Sequence, residues 1–353
     1  MSRKPWLILS DLHLHNWQSF SRHLESGINN RLAGLLSEIR RAADELKARG
    51  GDTIYLAGDI YHVRGSVAPS VVNPTEELFQ QLIAEGFKVR AISGNHDLEG
   101  KHSSELGSSV TSLEKLGVTV CHRLEVFDDD KVVMIPWFDK LDDLRAEAQK
   151  IASSVRAEYD LIIHAPLNGI ITGLPDHGLS TQEVQSWGYR NVFIGHHHNH
   201  KEAGPGVWSI GALAHHTWSD VDSKAGFVIV EDGNKVNWLS SHLPKFVDIV
   251  AEMSAVEAEL SADGNYVRIK IIDNKNTTVE QVREWMTNCG AVGVVIQPFK
   301  QAVTQRDAAV THSISAGASI EQSVSDFVKA SFDPSLVEEI NLGSQKVLAR
   351  VAV

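Results

Sequence analysis

The chain has 353 residues, 42% hydrophobic and 22% charged, which gives an ordinary globular protein room for one large domain and one or two small ones. Its net charge of −12 argues against a protein that coats nucleic acid unaided, because such binding draws on Lys and Arg displacing counterions. Two isolated cysteines, Cys121 and Cys289, exclude a disulfide framework or a thiolate metal site, and no apolar run approaches the ~20 residues of a membrane helix. The N-terminus passes from Arg3-Lys4-Pro5 straight into strand-like residues without a signal-peptide pattern, so a reducing cytoplasm is the expected address. The compositional oddity is 17 histidines.

In chain order, Leu7-Ile8-Leu9 predicts a short strand running into Ser10-Asp11-Leu12-His13. Leu32, Leu35, Leu36, Ile39, Ala43 and Leu46 recur at helical spacing until Gly50-Gly51 stops them. Thr53-Ile54-Tyr55-Leu56 predicts a second strand, ending in Gly58-Asp59-Ile60-Tyr61-His62. Leu78, Phe79, Leu82 and Ile83 mark a helix before Gly86. Val89-Arg90-Ala91-Ile92 leads into Gly94-Asn95-His96-Asp97. Leu161-Ile162-Ile163 leads into His164-Ala165-Pro166, and Val192-Phe193-Ile194 into Gly195-His196-His197-His198. Runs of this kind read as strands buried on both faces. Strands alternating with helices imply a parallel arrangement, whose carboxyl-end loops gather on one edge. Five polar loops should therefore meet.

Residues 124–137 fold back through Asp128-Asp129-Asp130, and residues 227–239 turn at Asp232-Gly233-Asn234; both predict antiparallel hairpins. The expected fold is α/β: a two-sheet β-sandwich flanked by helices over residues 1–243, then a small α+β unit over 244–305. That unit takes strands at 246–250, 266–272 and 292–297 and a helix at 279–288. A Ser/Ala/Gly-rich linker at 306–319 and two helical segments, about 320–331 and 335–349, complete a terminal region of 306–353.

The converging loops pool Asp11, His13, Asp59, Asn95, His164, His196 and His198. Oxygen and imidazole ligands without thiolate suit Mn, Fe, Zn or Mg. Seven side chains are too many for one tetrahedral ion, but with one bridging carboxylate they divide into two sites of four. Paired ions ~3.5–4 Å apart are typical of phosphoester hydrolysis. Each piece alone has a bland reading: Asp-x-His as a strand-end cap, Gly-Asp and Gly-Asn-His-Asp as turns, the histidine run as a solvated loop. Five such loops in this order, each after a buried strand, make the signal collective.

These loops resemble the calcineurin-like metallophosphoesterase signature, D-x-H, GD, GNH[DE], H and GH-x-H, over residues 7–198. The resemblance implies one ion held by Asp11, His13 and His198, a second by Asn95, His164 and His196, with Asp59 bridging and Mn2+ as the expected metal. It also implies that His96 is catalytic and that Asp97 orients it. Gly58-Asp59-Ile60-Tyr61-His62 is similar to the form seen in nucleases of the SbcD type, as are Ser209-Ile210-Gly211-Ala212-Leu213 and Lys224-Ala225-Gly226-Phe227. That narrower resemblance implies a DNA exonuclease and endonuclease, with His62 near the metals positioning the DNA backbone. It further implies a role in DNA repair and recombination, a homodimer, and a terminal helical pair docked on an SbcC-type ABC ATPase with coiled coils.

His15 lines the cleft or merely follows the first ligand loop; Arg64 meets a phosphate or is a solvated loop residue. His197 and His200 are expected to point outward to solvent, while His215 and His216 stand either behind the ligands or apart from them. The apolar faces Leu78/Leu82 and Leu106/Val110/Leu113, on helices near 75–85 and 103–116, serve either a dimer contact or the core. Two other functions remain on the same metal core: a phosphomonoesterase or cyclic-nucleotide phosphodiesterase, and a non-catalytic DNA-end tether.

Overall fold

A computed structural model describes residues 3–100, 107–151, 153–231, 235–250, 252–271, 278–298, 324–326, 328–329 and 336–351. Contacts group residues 1–297 into one compact unit and 298–353 into another.

The first unit is built on two six-stranded sheets. In one, β1 (Trp6–Leu9), β2 (Thr53–Ala57), β3 (Lys88–Ile92) and β4 (Thr119–Cys121) run parallel in sequence order. The hairpin β11 (Gly226–Glu231) and β12 (Lys235–Ser240) extends it antiparallel from β1. In the other, β5 (Glu125–Phe127) pairs antiparallel with β6 (Val132–Ile135). Then β6, β7 (Asp160–His164), β8 (Asn191–Gly195) and β10 (Val207–Ser209) run parallel, with β9 (Lys201–Gly204) antiparallel at the edge. Both expected hairpins are present; the residues of the second turn, 232–234, lie outside the described ones.

Period-two alternation explains why these strands are apolar on both faces. Trp6, Ile8, Tyr55, Ala57, Ile92, Met134, Ile162 and Phe193 point between the sheets and form one core. Leu7, Leu9, Ile54, Leu56 and Val89 point outward against α1 (Asn30–Ala48) and α2 (Pro69–Ala84). On the far side, Val133, Leu161, Ile163 and Val192 pack against α3 (Leu141–Ala148) and α5 (Thr181–Ser186), with α4 (Ser153–Arg156) between them in sequence. The Asn29 side chain caps α1 by accepting from Arg31 N and Leu32 N.

Two helices differ from expectation. α2 begins at Pro69, six residues before the predicted start, because proline at a first-turn position needs no amide partner. After the Gly94-Asn95-His96-Asp97 loop, the described residues form a 3-10 helix, Ser109–Leu116, rather than an α-helix; residues 103–106, including Leu106, lie outside the described ones. Leu78, Leu82, Val110 and Leu113 are buried in the chain's own core, so the core alternative holds for those faces.

Within the same unit, β13 (Phe246–Ile249), β14 (Tyr266–Ile271) and β15 (Gly293–Pro298) form a third sheet, with β13 and β14 parallel. Beside the expected helix α7 (Val279–Asn288) there is a second, α6 (Ala255–Ala262), which buries Ala258 and Ala262 while leaving Val256 and Leu260 exposed. In the second unit, α8 (Val337–Val351) is the described helix, with Leu342 exposed along it. The linker 306–319 and Phe327 lie outside the described residues. No helix among the described residues is long and apolar enough to cross a membrane.

Candidate metal centre

All five predicted loops leave the carboxyl ends of parallel strands: β1, β2 and β3 in one sheet, β7 and β8 in the other. The first two loops stay paired beyond their strands, Asp11 N bonding Gly58 O at 3.1 Å and His13 N bonding Asp59 O at 2.9 Å. Four of the pooled residues hold positive φ without being glycine: Asp11 at 49°, His13 at 42°, Asp59 at 51° and His196 at 106°. Such backbone costs ~1–3 kcal/mol per residue and collects where a site needs its side chains aimed. Glycine gives them room. A Cβ on Gly94 would collide with Asp59 Oδ1, and one on Gly58, whose φ is 90°, with His164 Nδ1.

The pooled side chains gather into two groups whose ligand-type atoms lie within 4.8 Å of one another, Asp11–His13–His198 and Asp59–His164–His196, and His13 also belongs to a third such group with His62 and His96. Asn95 joins the second, its Oδ1 3.0 Å from His196 Nδ1. Asp59 stands between the groups: Oδ2 is 3.7 Å from His13 Nε2 and 3.5 Å from His164 Nε2, while Oδ1 accepts from His96 N at 2.8 Å. A cleft of about 230 Å³ is lined by His13, Asp59, Asn95, His196 and His198 together with Trp17, His62, His96, His216 and Thr217.

Whether cations fit can be read from which atoms are already used. Asp11 Oδ2 accepts from Ser10 Oγ at 2.6 Å and His196 N at 3.0 Å, but Oδ1 is buried without a partner. His164 Nδ1 donates to Ala57 O at 2.8 Å, and its buried Nε2 has no hydrogen bond. His13 and His198 turn Nε2 atoms toward each other at 3.1 Å, the spacing of two imidazoles sharing an ion ~2.1 Å from each. Asp11 and His164 thus have one polar atom tied and the other idle, which is how ligands are held for a metal. The residues fit divalent cations.

The charges agree. Burial works against ionised Asp59, yet His164 and His13 hold it well below the usual carboxylate value. Against its own burial, His164 is drawn up to about 9 by that carboxylate, so a cation at Nε2 has to displace a proton. Burial, aided by the Asp59 charge, pushes Asp97 up to about 7.

Asp97 does not orient His96. Its carboxylate accepts from the backbone N–H groups of Tyr61 at 2.9 Å, Gly94 at 2.9 Å and Ile60 at 3.2 Å, which pins the Asp59 loop to the Asn95 loop. His96 Nδ1 instead donates to the His62 carbonyl at 2.8 Å. Successive residues of a tight turn diverge, and a buried carboxylate takes the orphan amides within reach.

The His62 ring stacks on His96 with centroids 5.4 Å apart, and its Nδ1 lies 3.3 Å from His13 Nδ1. His15 packs on His62 and Trp17, and Arg64 is exposed with no ion pair among the described residues; neither lines the cleft. His216 stands directly behind the ligands, donating from Nε2 to Asp11 O at 2.9 Å, while His215 Nδ1 accepts from Phe246 N at 3.1 Å. Sequence reasoning missed Asp220, whose Oδ1 is 2.7 Å from His198 Nδ1. The available signal was the capping-box spacing of Thr217-Trp218-Ser219-Asp220.

His197 and His200 are buried, not exposed, at 6% and 8%. His197 packs on His196, and His200 stacks on Trp208 and Trp238. Burial pushes His197 down to about 4 and His216 to about 3. Both rings are neutral in the folded chain where an unfolded histidine, with a pKa of ~6.5, is protonated. Unfolding therefore takes up protons below about pH 6.5. Stability is full above that window and falls as pH drops through it, by ~1.4 kcal/mol per pH unit for each such ring. Melting temperatures of metal-free protein should fall steeply from about pH 6.5 to 4.5, and less steeply in His197→Gln; equal slopes would remove His197 from the account.

Residues 4–254 match the calcineurin-like phosphoesterases, and the chain belongs to that family. It is similar to exonuclease subunit 1 of Enterobacteria phage T4, with 28% identity over 194 residues that cover 54% of this chain and 56% of that protein. The match thus spans little more than half of the relative's length. Among solved structures, the nuclease MPE of Pseudomonas putida aligns at 15% identity over 66% of this chain and 87% of its own, with a TM-score of 0.31.

Proposed function

We propose that the chain is a two-metal DNA phosphodiesterase, the nuclease subunit of an SbcCD-type repair and recombination complex. The observation that carries the reading is Asp59 Oδ2 poised between His13 and His164, with Asp11 Oδ1 in one group and His164 Nε2 in the other buried and unpartnered. The likeness to the phage protein, an exonuclease subunit, favours DNA as substrate and a larger assembly over a small-molecule phosphatase.

Two divalent cations there, with Mn2+ our choice, would lower the pKa of a water and neutralise phosphoryl oxygens. Asp11, His13 and His198 would hold one; Asn95, His164 and His196 the other. His96 has its Nδ1 proton committed to the His62 carbonyl, so Nε2 is the atom left to face a scissile phosphate. Protonated there, it neutralises charge on the phosphoryl group or gives its proton to the leaving alkoxide. His62, stacked on His96, keeps that ring aligned and borders the strand's path. The apolar residues Leu336 and Leu342, 47% and 55% exposed in the terminal unit, suit docking to the ATPase.

The test is hydrolysis of linear duplex DNA against p-nitrophenyl phosphate with Mn2+, with and without an SbcC-type ATPase. Metal-dependent DNA cleavage stimulated by the ATPase is expected; turnover confined to the small ester would replace the reading with a phosphomonoesterase, and no turnover with a tether. A chain ending near residue 306 should still cleave simple phosphodiesters but fail to co-purify with the ATPase.

A further inference from the structure

Asp220 takes no part in that reading, yet it is 3% exposed and its carboxylate is bonded to His198 and to the amides of His216 and Thr217. It closes the 3-10 turn Trp218–Asp220. Oδ2 accepts from the backbone N–H of His216 at 2.7 Å and of Thr217 at 2.9 Å, which fixes the carboxylate in place. Oδ1 then meets His198 Nδ1 at 2.7 Å. An ionised carboxylate only accepts, so the proton of the neutral ring sits on Nδ1 and its lone pair on Nε2. Nε2 is the atom that faces His13 Nε2.

We propose that Asp220 is a positioning residue that fixes the tautomer and direction of His198, and through it sets the affinity of the Asp11–His13–His198 site for its ion. The inference rests on the proposed reading that this group holds a cation. It concerns one site only, because in the other group His164 is fixed by a different device, the Ala57 carbonyl at its Nδ1. A loop carboxylate strengthens the ligand more than a neutral carbonyl does, since charge-assisted bonds are the stronger kind.

The discriminating variant is Asp220→Asn. The Asn oxygen can keep both backbone bonds only where Oδ2 stands, which turns its NH2 toward His198. That amide donates to Nδ1 and moves the ring proton to Nε2, where it blocks the ion. Calorimetric titration with Mn2+ alone should find two ions in the full wild-type chain. In Asp220→Asn one ion should keep its affinity and the other bind ~10–100-fold more weakly, the usual scale for losing an outer partner. The metal-free melting temperature should be unchanged.

Wild-type affinities for both ions in Asp220→Asn would overturn the inference. So would equal weakening of both ions, or a lowered metal-free melting temperature, since either marks a plain turn cap. If wild type binds a single ion, the two-metal reading fails; the inference then survives if Asp220→Asn loses that ion and falls if it keeps it. Should Asp220→Asn not fold, cadmium-113 NMR of wild-type chain with nitrogen-15 histidine decides the matter. Coupling of the ion to His198 Nε2 supports the inference, and coupling to Nδ1 refutes it.

Discussion

Asp59→Asn should leave a folded chain that binds neither ion tightly and has no measurable metal-dependent phosphodiesterase activity. Asparagine is the informative replacement because Asp59 sits at φ 51°, a backbone region that Asn tolerates and Ala does not. Its oxygen can stay on His96 N, where Oδ1 now accepts at 2.8 Å. Its NH2 then occupies the Oδ2 position between His13 and His164, presenting donors where the proposed reading needs an anion shared by two cations. Losing an outer partner typically costs a site 10–100-fold, so losing a bridging ligand should cost each ion more than ~10²-fold. Elemental analysis and Mn2+ titration measure this directly. Two tightly bound metals in Asp59→Asn would remove the bridge, and with it the division of the ligands into two sites.

The five ligand loops were legible because each follows a strand that packs on helices with one face and on the opposite sheet with the other. Such strands are mostly apolar, with Arg90 in β3 an exception, so the polar loop after each run marks the strand end and the site edge together. Residues whose role depends on what lies across the fold were less legible. Adjacency in sequence suggested that Asp97 serves His96, whereas the buried carboxylate serves the amides of two loops. Alternation suggested that His197 and His200 face water, but His197 packs on His196, and Trp208 and Trp238 stand where water was assumed around His200. Helix α6 escaped notice because it buries small alanines and exposes Val256 and Leu260, the reverse of the usual apolar stripe. Asp220 lies 22 residues beyond the ring it contacts, and only its capping-box spacing marked it.

His96→Ala should separate chemistry from binding. The His96 ring belongs to neither the Asp11–His13–His198 nor the Asp59–His164–His196 group, although it clusters with His13 and His62, and among the described residues its ring is hydrogen-bonded from Nδ1 to the His62 carbonyl. Both ions should therefore remain, as should DNA binding, while turnover falls ~10²-fold or more, the usual scale for one acid or charge-stabilising group. The backbone bond from His96 N to Asp59 Oδ1 survives the substitution, so the bridge keeps its direction. His62→Ala should behave differently. It removes the ring stacked on His96 but leaves the carbonyl that fixes Nδ1, so the loss should be milder, and larger on duplex ends than on small phosphodiesters. Single-turnover rates on both substrates, with metal content confirmed in each variant, distinguish the two effects. Near-wild-type turnover in metal-replete His96→Ala would show that the proton and charge are handled elsewhere; equal losses on both substrates in His62→Ala would move His62 from the strand's path into the metal site.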